Sequence, residues 1–177
     1  MRICIFCGAS SSLDNQVELI AQDVMKHFHQ NNTELVYGGA SIGVMGQLAN
    51  HLLSLGGKVV GVIPECLMKR EVAHDHLSQL ILTKDMHERK QTMYTLSDAF
   101  LVFPGGMGTL DELFEITTWN QLGLHSKKIA ILNINGYYDH LLGFLDHAVK
   151  QGLIRPKDRS IIYSSDNWED IWNYFNG

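Results

Sequence analysis

Short apolar runs alternate with longer amphipathic stretches along this chain. The apolar runs are Ile3–Cys7, Leu35–Tyr37, Lys58–Ile63, Gln79–Thr83, Ala99–Phe103 and Lys128–Leu132, with a late one at Ser160–Tyr163. Their length and side chains predict strands. Between them, apolar residues recur at helical spacing. Val17, Ile20, Ala21, Val24 and Phe28 form one stripe; Met45, Leu48, Ala49, Leu52 and Leu53 form another, which stops at the helix-ending pair Gly56-Gly57. Leu110, Leu113, Phe114 and Thr117 form a third stripe, and Tyr138, Leu141, Leu142, Leu145 and Val149 a fourth. The stretch from Asp166 to Trp172 reads as a short capped helix packing two tryptophans.

Near-continuous apolar strands alternating with helices predict a mostly parallel sheet covered on both faces. The strands are too few for an eight-stranded barrel. The expected fold is therefore α/β, a doubly wound open sheet flanked by helices. No linker, low-complexity tract or fixed-period repeat interrupts the pattern, so residues 1–177 are read as one domain.

Composition adds boundaries. The apolar fraction is 45% and no apolar run reaches the length of a membrane span, so a soluble protein is expected. A net charge of −5 argues against general nucleic-acid binding, while local basic groups remain available for one anion. The first strand starts at the N-terminus and runs straight into Gly8, unlike a secretion signal, which predicts a cytoplasmic protein. Cys4 and Cys7 are spaced C-x-x-C, but side chains three apart on a strand face opposite ways, so buried thiols are expected rather than a redox pair. His74 and His76 flank Asp75; the trio reads as polar surface rather than a metal site.

The stretch with most chemistry in it is Pro104-Gly105-Gly106-Met107-Gly108-Thr109-Leu110-Asp111-Glu112. A strand runs into a glycine-rich turn and then a helix start, which aims backbone N–H groups and a positive dipole end at one spot suited to phosphate. Glu112 has two readings. Spacing alone favours a capping box, with Thr109 as N-cap and Glu112 reaching back to it. The surplus of glycine, and Asp111 as an alternative partner for the dipole, favour a carboxylate left over for chemistry. Two more glycine-rich turns, Gly8–Ser12 and Gly38–Gly46, fall at predicted strand ends. The second lacks the acid that a dinucleotide fingerprint requires, so backbone contact with a ligand is the better reading. In the segment Asp85–Met93, a helix would place Met86, Arg89, Lys90, Met93 and Leu96 on one face. Two cations in an apolar stripe either snorkel outward or face an anion in a cleft, and the neighbouring glycine turn favours the cleft.

Together these segments resemble the LOG ("lonely guy") family of cytokinin riboside 5′-monophosphate phosphoribohydrolases, whose members often carry the label lysine decarboxylase-like. The family pattern PGGxGTxxE is matched from Pro104 to Glu112, M-x-x-R-K by Met86, Arg89 and Lys90, and GGxxxGxMG by Gly38, Gly39, Gly43, Met45 and Gly46. The opening Cys7–Ser11 and the run Trp119-x-Gln121-Leu122-Gly123 resemble further family segments. Ala40, Val44 and Asp111 are conservative departures.

The resemblance implies a Rossmann-like fold and hydrolysis of the N-glycosidic bond of a purine nucleoside 5′-monophosphate, either AMP or an N6-substituted cytokinin nucleotide. It assigns Arg89 and Glu112 as the catalytic pair. Arg89 would hold Glu112 ionised or polarise the leaving base; both roles stay open. Gly105, Gly106, Gly108 and Thr109 would hold the phosphate. Asp85, Met86 and Lys90 would line the site, with Ser10, Gly39 and Gly43 contributed by the neighbouring turns. No metal or cofactor is needed. The expected assembly is a homodimer, with Trp119, Leu122 and Leu124 either at its interface or in the core. The rival reading is a non-catalytic nucleotide or cofactor carrier on the same fold. A pyridoxal phosphate decarboxylase would need a Schiff-base lysine, for which Lys84, Lys90, Lys127 and Lys128 offer no constellation.

Overall fold

A computed structural model describes residues 1–8, 15–68 and 73–177. The strands are β1 (Arg2–Phe6), β2 (Glu34–Tyr37), β3 (Val59–Pro64), β4 (Gln79–Thr83), β5 (Ala99–Val102), β6 (Lys128–Leu132) and β7 (Ile162–Ser165). The helices are α1 (Asn15–Gln30), α2 (Gly43–Ser54), α3 (Met86–Leu96), α4 (Met107–Gln121), α5 (Asp139–Lys150), α6 (Pro156–Arg159) and α7 (Trp168–Asn176). All strands join one sheet in the order β4-β3-β2-β1-β5-β6-β7, and every neighbouring pair is parallel. The expected fold class is observed, with the last strand two residues later than the apolar run suggested.

Alternation along the strands sorts the core into two layers. Ile3 and Ile5 of β1 face one side, with Leu35, Leu101, α1, α2 and α7. Cys4 and Phe6 face the other, with Val36, Phe100, α3, α4 and α5. Cys7 belongs to the first layer, so Cys4 and Cys7 lie on opposite faces as free, buried thiols. The α2 helix ends as its glycines require. Gly56 takes φ +81°, its N–H bonds Leu53 O at 2.9 Å, and the Gly57 N–H bonds Leu52 O at 2.9 Å. At the other end of the chain, Asn167 caps α7 by accepting the Glu169 N–H at 2.8 Å, and Trp168 and Trp172 pack around His27.

One expectation is overturned in the loop before β4. His74 is buried rather than part of a polar surface. Its backbone N–H reaches Gly39 O at 3.1 Å, its Nε2 meets Asn50 Oδ1 at 2.9 Å, and its Nδ1 accepts the His76 N–H at 3.2 Å. These bonds seat the loop on the glycine turn after β2, which solvation of a free loop would not do.

Candidate active site

The strand order reverses direction between β1 and β5, and such switch points are where open α/β sheets bind ligands. A cavity of about 280 Å3 opens there. The end of β1 contributes Ile5, Cys7 and Gly8, and the turn after β2 contributes Gly38. Met45 enters from α2, and Arg89 and Met93 from α3. The start of α4 supplies Gly106, Gly108, Thr109 and Glu112.

Arg89 is only 5% exposed, and its seat is built from main chain. Nε donates to Val62 O at 3.1 Å and Nη2 to Gly38 O at 3.4 Å. Nη1 lies 3.8 Å from Glu112 Oε1, an ion pair too long for a hydrogen bond. Met86 Sδ lies 3.9 Å from the same nitrogen. Gly38 leaves room for this seat, because a Cβ there would collide with Arg89 Nη2. Glu112 is 8% exposed. The cleft reading of Arg89 therefore describes the structure, and snorkelling does not.

Glu112 is not in a capping box. The N-cap of α4 is Gly106, and the first helical bond runs from the Leu110 N–H to Gly106 O at 3.1 Å. Thr109 thus lies within the first turn and Glu112 in the second, where its side chain cannot reach back to the cap. The reciprocal cap is found on α3 instead. Asp85 is its N-cap and accepts the Glu88 N–H at 2.9 Å, while Glu88 Oε2 accepts the Lys84 N–H at 2.8 Å. The Glu88 N–H holds the Asp85 carboxyl below its ordinary pKa.

The remaining sequence candidates divide by position. Gly106 and Gly108 line the cavity, and a Cβ on either would meet nothing within 4 Å among the described residues. Gly105 is packed, since a Cβ there would strike Thr109 Oγ1. Gly39 and Gly43 adopt φ of +82° and +63°, so their backbone geometry accounts for them, and neither lines the cavity. Lys90 turns away to α4, where Nζ meets Asp111 Oδ2 at 3.1 Å and Glu115 Oε1 at 3.0 Å. Burial works against its charge, but the two carboxylates outweigh that and raise its pKa. Ser10 lies outside the described residues. Leu122 and Leu124 are exposed, whereas Trp119 packs edge-on against Tyr94.

Sequence reasoning did not single out Cys7, Gly38, Met45 or Met93 as cavity wall. The parallel register gathers them, by bringing the carboxyl ends of β1, β2 and β5 side by side, and that strand order is not written in any local stretch of sequence. Burial, reinforced by the Glu112 charge, pushes the Cys7 thiol far above its ordinary value, so it is a neutral wall rather than a nucleophile.

The fold and the site define a Rossmann-like protein with a glycine-lined cavity and a buried arginine–carboxylate pair at its switch point. A family model described as a possible lysine decarboxylase matches residues 45–175. The cytokinin riboside 5′-monophosphate phosphoribohydrolase LOG5 of Arabidopsis thaliana is 42% identical over 96% of this chain and 75% of its own length. LOG3 of the same plant is 43% identical over 96% of this chain and 79% of its own. The chain belongs to this LOG family.

Solved structures share the fold. The molybdenum cofactor binding protein of Rippkaea orientalis superposes with a TM-score of 0.71 at 19% identity, covering 99% of this chain and 94% of that one. The Moco carrier protein of Chlamydomonas reinhardtii gives 0.71 at 16%, with the same coverage. At that identity the likeness concerns architecture alone. No lysine stands among the described residues lining the cavity, and Lys127 and Lys128 bond the carbonyls of Tyr94 and Tyr174.

Proposed function

We propose that this chain hydrolyses the N-glycosidic bond of a purine nucleoside 5′-monophosphate, AMP or an N6-substituted analogue, releasing the free base and ribose 5-phosphate. The observation that carries this reading is the buried Arg89–Glu112 pair set beside Gly106 and Gly108. Glycine inside a helix costs about 1 kcal/mol relative to alanine. Gly108 lies inside α4, and among the described residues neither packing nor a positive φ requires glycine there. Close approach of a ligand does. Gly106, at the N-cap, is a position that accepts glycine readily. The 5′-phosphate takes the N–H groups of this turn and the Thr109 hydroxyl.

The ribose then lies toward Glu112. As the C1′–N9 bond breaks, positive charge grows on the sugar and the bond electrons leave with the base. The Glu112 carboxylate stabilises that charge and orients a water molecule. The water oxygen bonds C1′, and the proton it gives up ends on the departing base. Arg89, with two donors committed to carbonyls, positions the Glu112 carboxylate. Asp85 and Met86 shape the Arg89 side of the site, and Lys90 holds its two helices together.

The same reading makes the protein a cytoplasmic homodimer. No helix among the described residues is long and apolar enough to cross a membrane. Exposed Phe114 and Leu122 on and after α4 offer apolar surface to a second copy. Size-exclusion chromatography with light scattering checks this; a monomer at micromolar concentration contradicts it.

The activity test is incubation with AMP and with its N6-isopentenyl analogue, followed by chromatography of the products. Free base and ribose 5-phosphate are expected, and the ratio of rates names the preferred base. Nucleotides that bind and stay intact favour the carrier reading instead.

A further inference from the structure

Two consecutive tyrosines outside the cavity are bonded to the main chain of the phosphate turn. Tyr138 is buried, and its hydroxyl donates to Phe103 O at 2.8 Å. Tyr137 is 54% exposed, and its hydroxyl donates to Gly105 O at 2.9 Å. The carbonyl between these two is also taken, because the Gly8 N–H donates to Pro104 O at 3.2 Å. The next one, Gly106 O, accepts the Leu110 N–H of the helix. Every carbonyl from Phe103 to Gly106 is therefore held by a donor.

A trans peptide is planar, with its C=O and N–H pointing in opposite directions. A donor that fixes the Gly105 carbonyl also fixes the Gly106 N–H on the other side of the same plane. Gly106 lines the cavity, and with no described atom near its Cβ position it has little else among the described residues to hold its orientation. A carbonyl turned toward the same space would repel an anion.

Tyr137 is itself held in place. Its ring packs edge-on against Tyr138, with centroids 4.8 Å apart and planes at 89°. Asn133 Oδ1 accepts the Tyr138 N–H at 2.7 Å, and Asn133 Nδ2 donates to Asp139 Oδ1 at 2.7 Å. Asn135 and Gly136, at φ +54° and +68°, carry the loop between β6 and α5 back toward the turn.

We infer that Tyr137 is a positioning residue for phosphate recognition: its hydroxyl holds the Gly105 carbonyl away from the cavity and so aims the Gly106 N–H at the substrate's 5′-phosphate. The inference rests on the phosphate reading of the glycine turn given above. Tyr138 differs in one respect. The carbonyl it holds belongs to the Phe103–Pro104 peptide, which has no N–H to aim. Its hydroxyl also meets the Gly105 backbone N–H, which belongs to the Pro104–Gly105 peptide and not to the one that carries the Gly106 N–H, so Tyr138 anchors the loop and the entry to the turn.

The test is Tyr137→Phe, which keeps the ring and removes the donor. One neutral hydrogen bond sets the scale, so KM for AMP rises roughly three- to tenfold. Inhibition by ribose 5-phosphate weakens by the same factor, kcat changes less than about twofold on that scale, and competition by adenosine, which has no phosphate, is unaltered. The companion Tyr138→Phe lowers Tm and leaves the KM for AMP in place. The inference is overturned if Tyr137→Phe leaves KM and ribose 5-phosphate inhibition unchanged. It also falls if that variant loses kcat alone, if it weakens adenosine equally, or if Tyr138→Phe reproduces its KM effect. The underlying phosphate reading fails separately and visibly in the unmodified protein, if adenosine competes as well as AMP does.

Discussion

Arg89 reaches from α3 to the carbonyls of Val62 within β3 and Gly38 just after β2 before it faces Glu112. Removing it leaves Glu112 buried without this cation and, on the proposed mechanism, takes away the group that positions the carboxylate. Arg89→Ala is expected to lower kcat on the order of a hundredfold while the fold persists; steady-state kinetics with a thermal melt checks both. Gly38→Ala is the subtler experiment. Its φ is not in the left-handed range, so alanine fits the backbone, but the new methyl collides with the guanidinium. Loss of kcat is expected although no reacting group has been touched; full activity would contradict the seat described for Arg89. Arg89 stood out in the sequence as a charge within an apolar helical stripe, whereas spacing alone read Glu112 as a cap, and only the family resemblance paired the two. Gly38 was legible as part of a turn expected to contact a ligand through its backbone. Nothing local says that it abuts an arginine 51 positions away.

Helices α3 and α4 present the pair as units. Lys90, next to Arg89, bridges to Asp111 and Glu115, which flank Glu112 on α4. Breaking this clamp loosens the helices without touching the cavity, so Lys90→Ala is expected to cost far less activity than Arg89→Ala. Equal losses from the two in parallel assays would return Lys90 to the substrate. Gly108→Ala separates stability from function on α4. Alanine gains up to about 1 kcal/mol of helix propensity in open space. Tm is therefore expected to rise while KM for AMP also rises, and a lower Tm would contradict the open-space account. The misread element was the start of α4. Thr109 and Glu112 fit the capping pattern, but the chain enters the helix from Gly106, and only tertiary context decides where a glycine run becomes helical. The inner strands were read to within a residue because parallel strands buried on both faces are apolar throughout, and the half-buried edge strand β7, which ends in two serines, was read two residues early.

Across the molecule, the switch between β1 and β5 gathers short turns from distant parts of the chain into one cavity. The alternation of elements predicted the fold class; the strand order was not legible, because it depends on which side of β1 each crossover lands. The same compactness gives the fold a pH dependence. His27, His74 and His125 all have pKa values lowered chiefly by burial. Among the described residues His27 Nε2 has no hydrogen-bond partner, and both ring nitrogens of His74 and His125 are already engaged. The unfolded chain therefore takes up protons first. Stability is full above about 6.5, the ordinary imidazole value, and declines as the pH falls below it. Melts are expected to show a lower Tm at pH 5.5 than at pH 7.5, and a flat or rising Tm would contradict these burials.

The most direct test of the central claim pairs binding with turnover in one variant. Glu112→Gln keeps the size of the side chain and removes its charge. With AMP, calorimetry is expected to show binding by both proteins, and chromatography to show adenine and ribose 5-phosphate from the unmodified protein alone. If the unmodified protein binds AMP and its N6-isopentenyl analogue without releasing either base, or if Glu112→Gln releases the base at the same rate, the Arg89–Glu112 pair is not a hydrolytic centre.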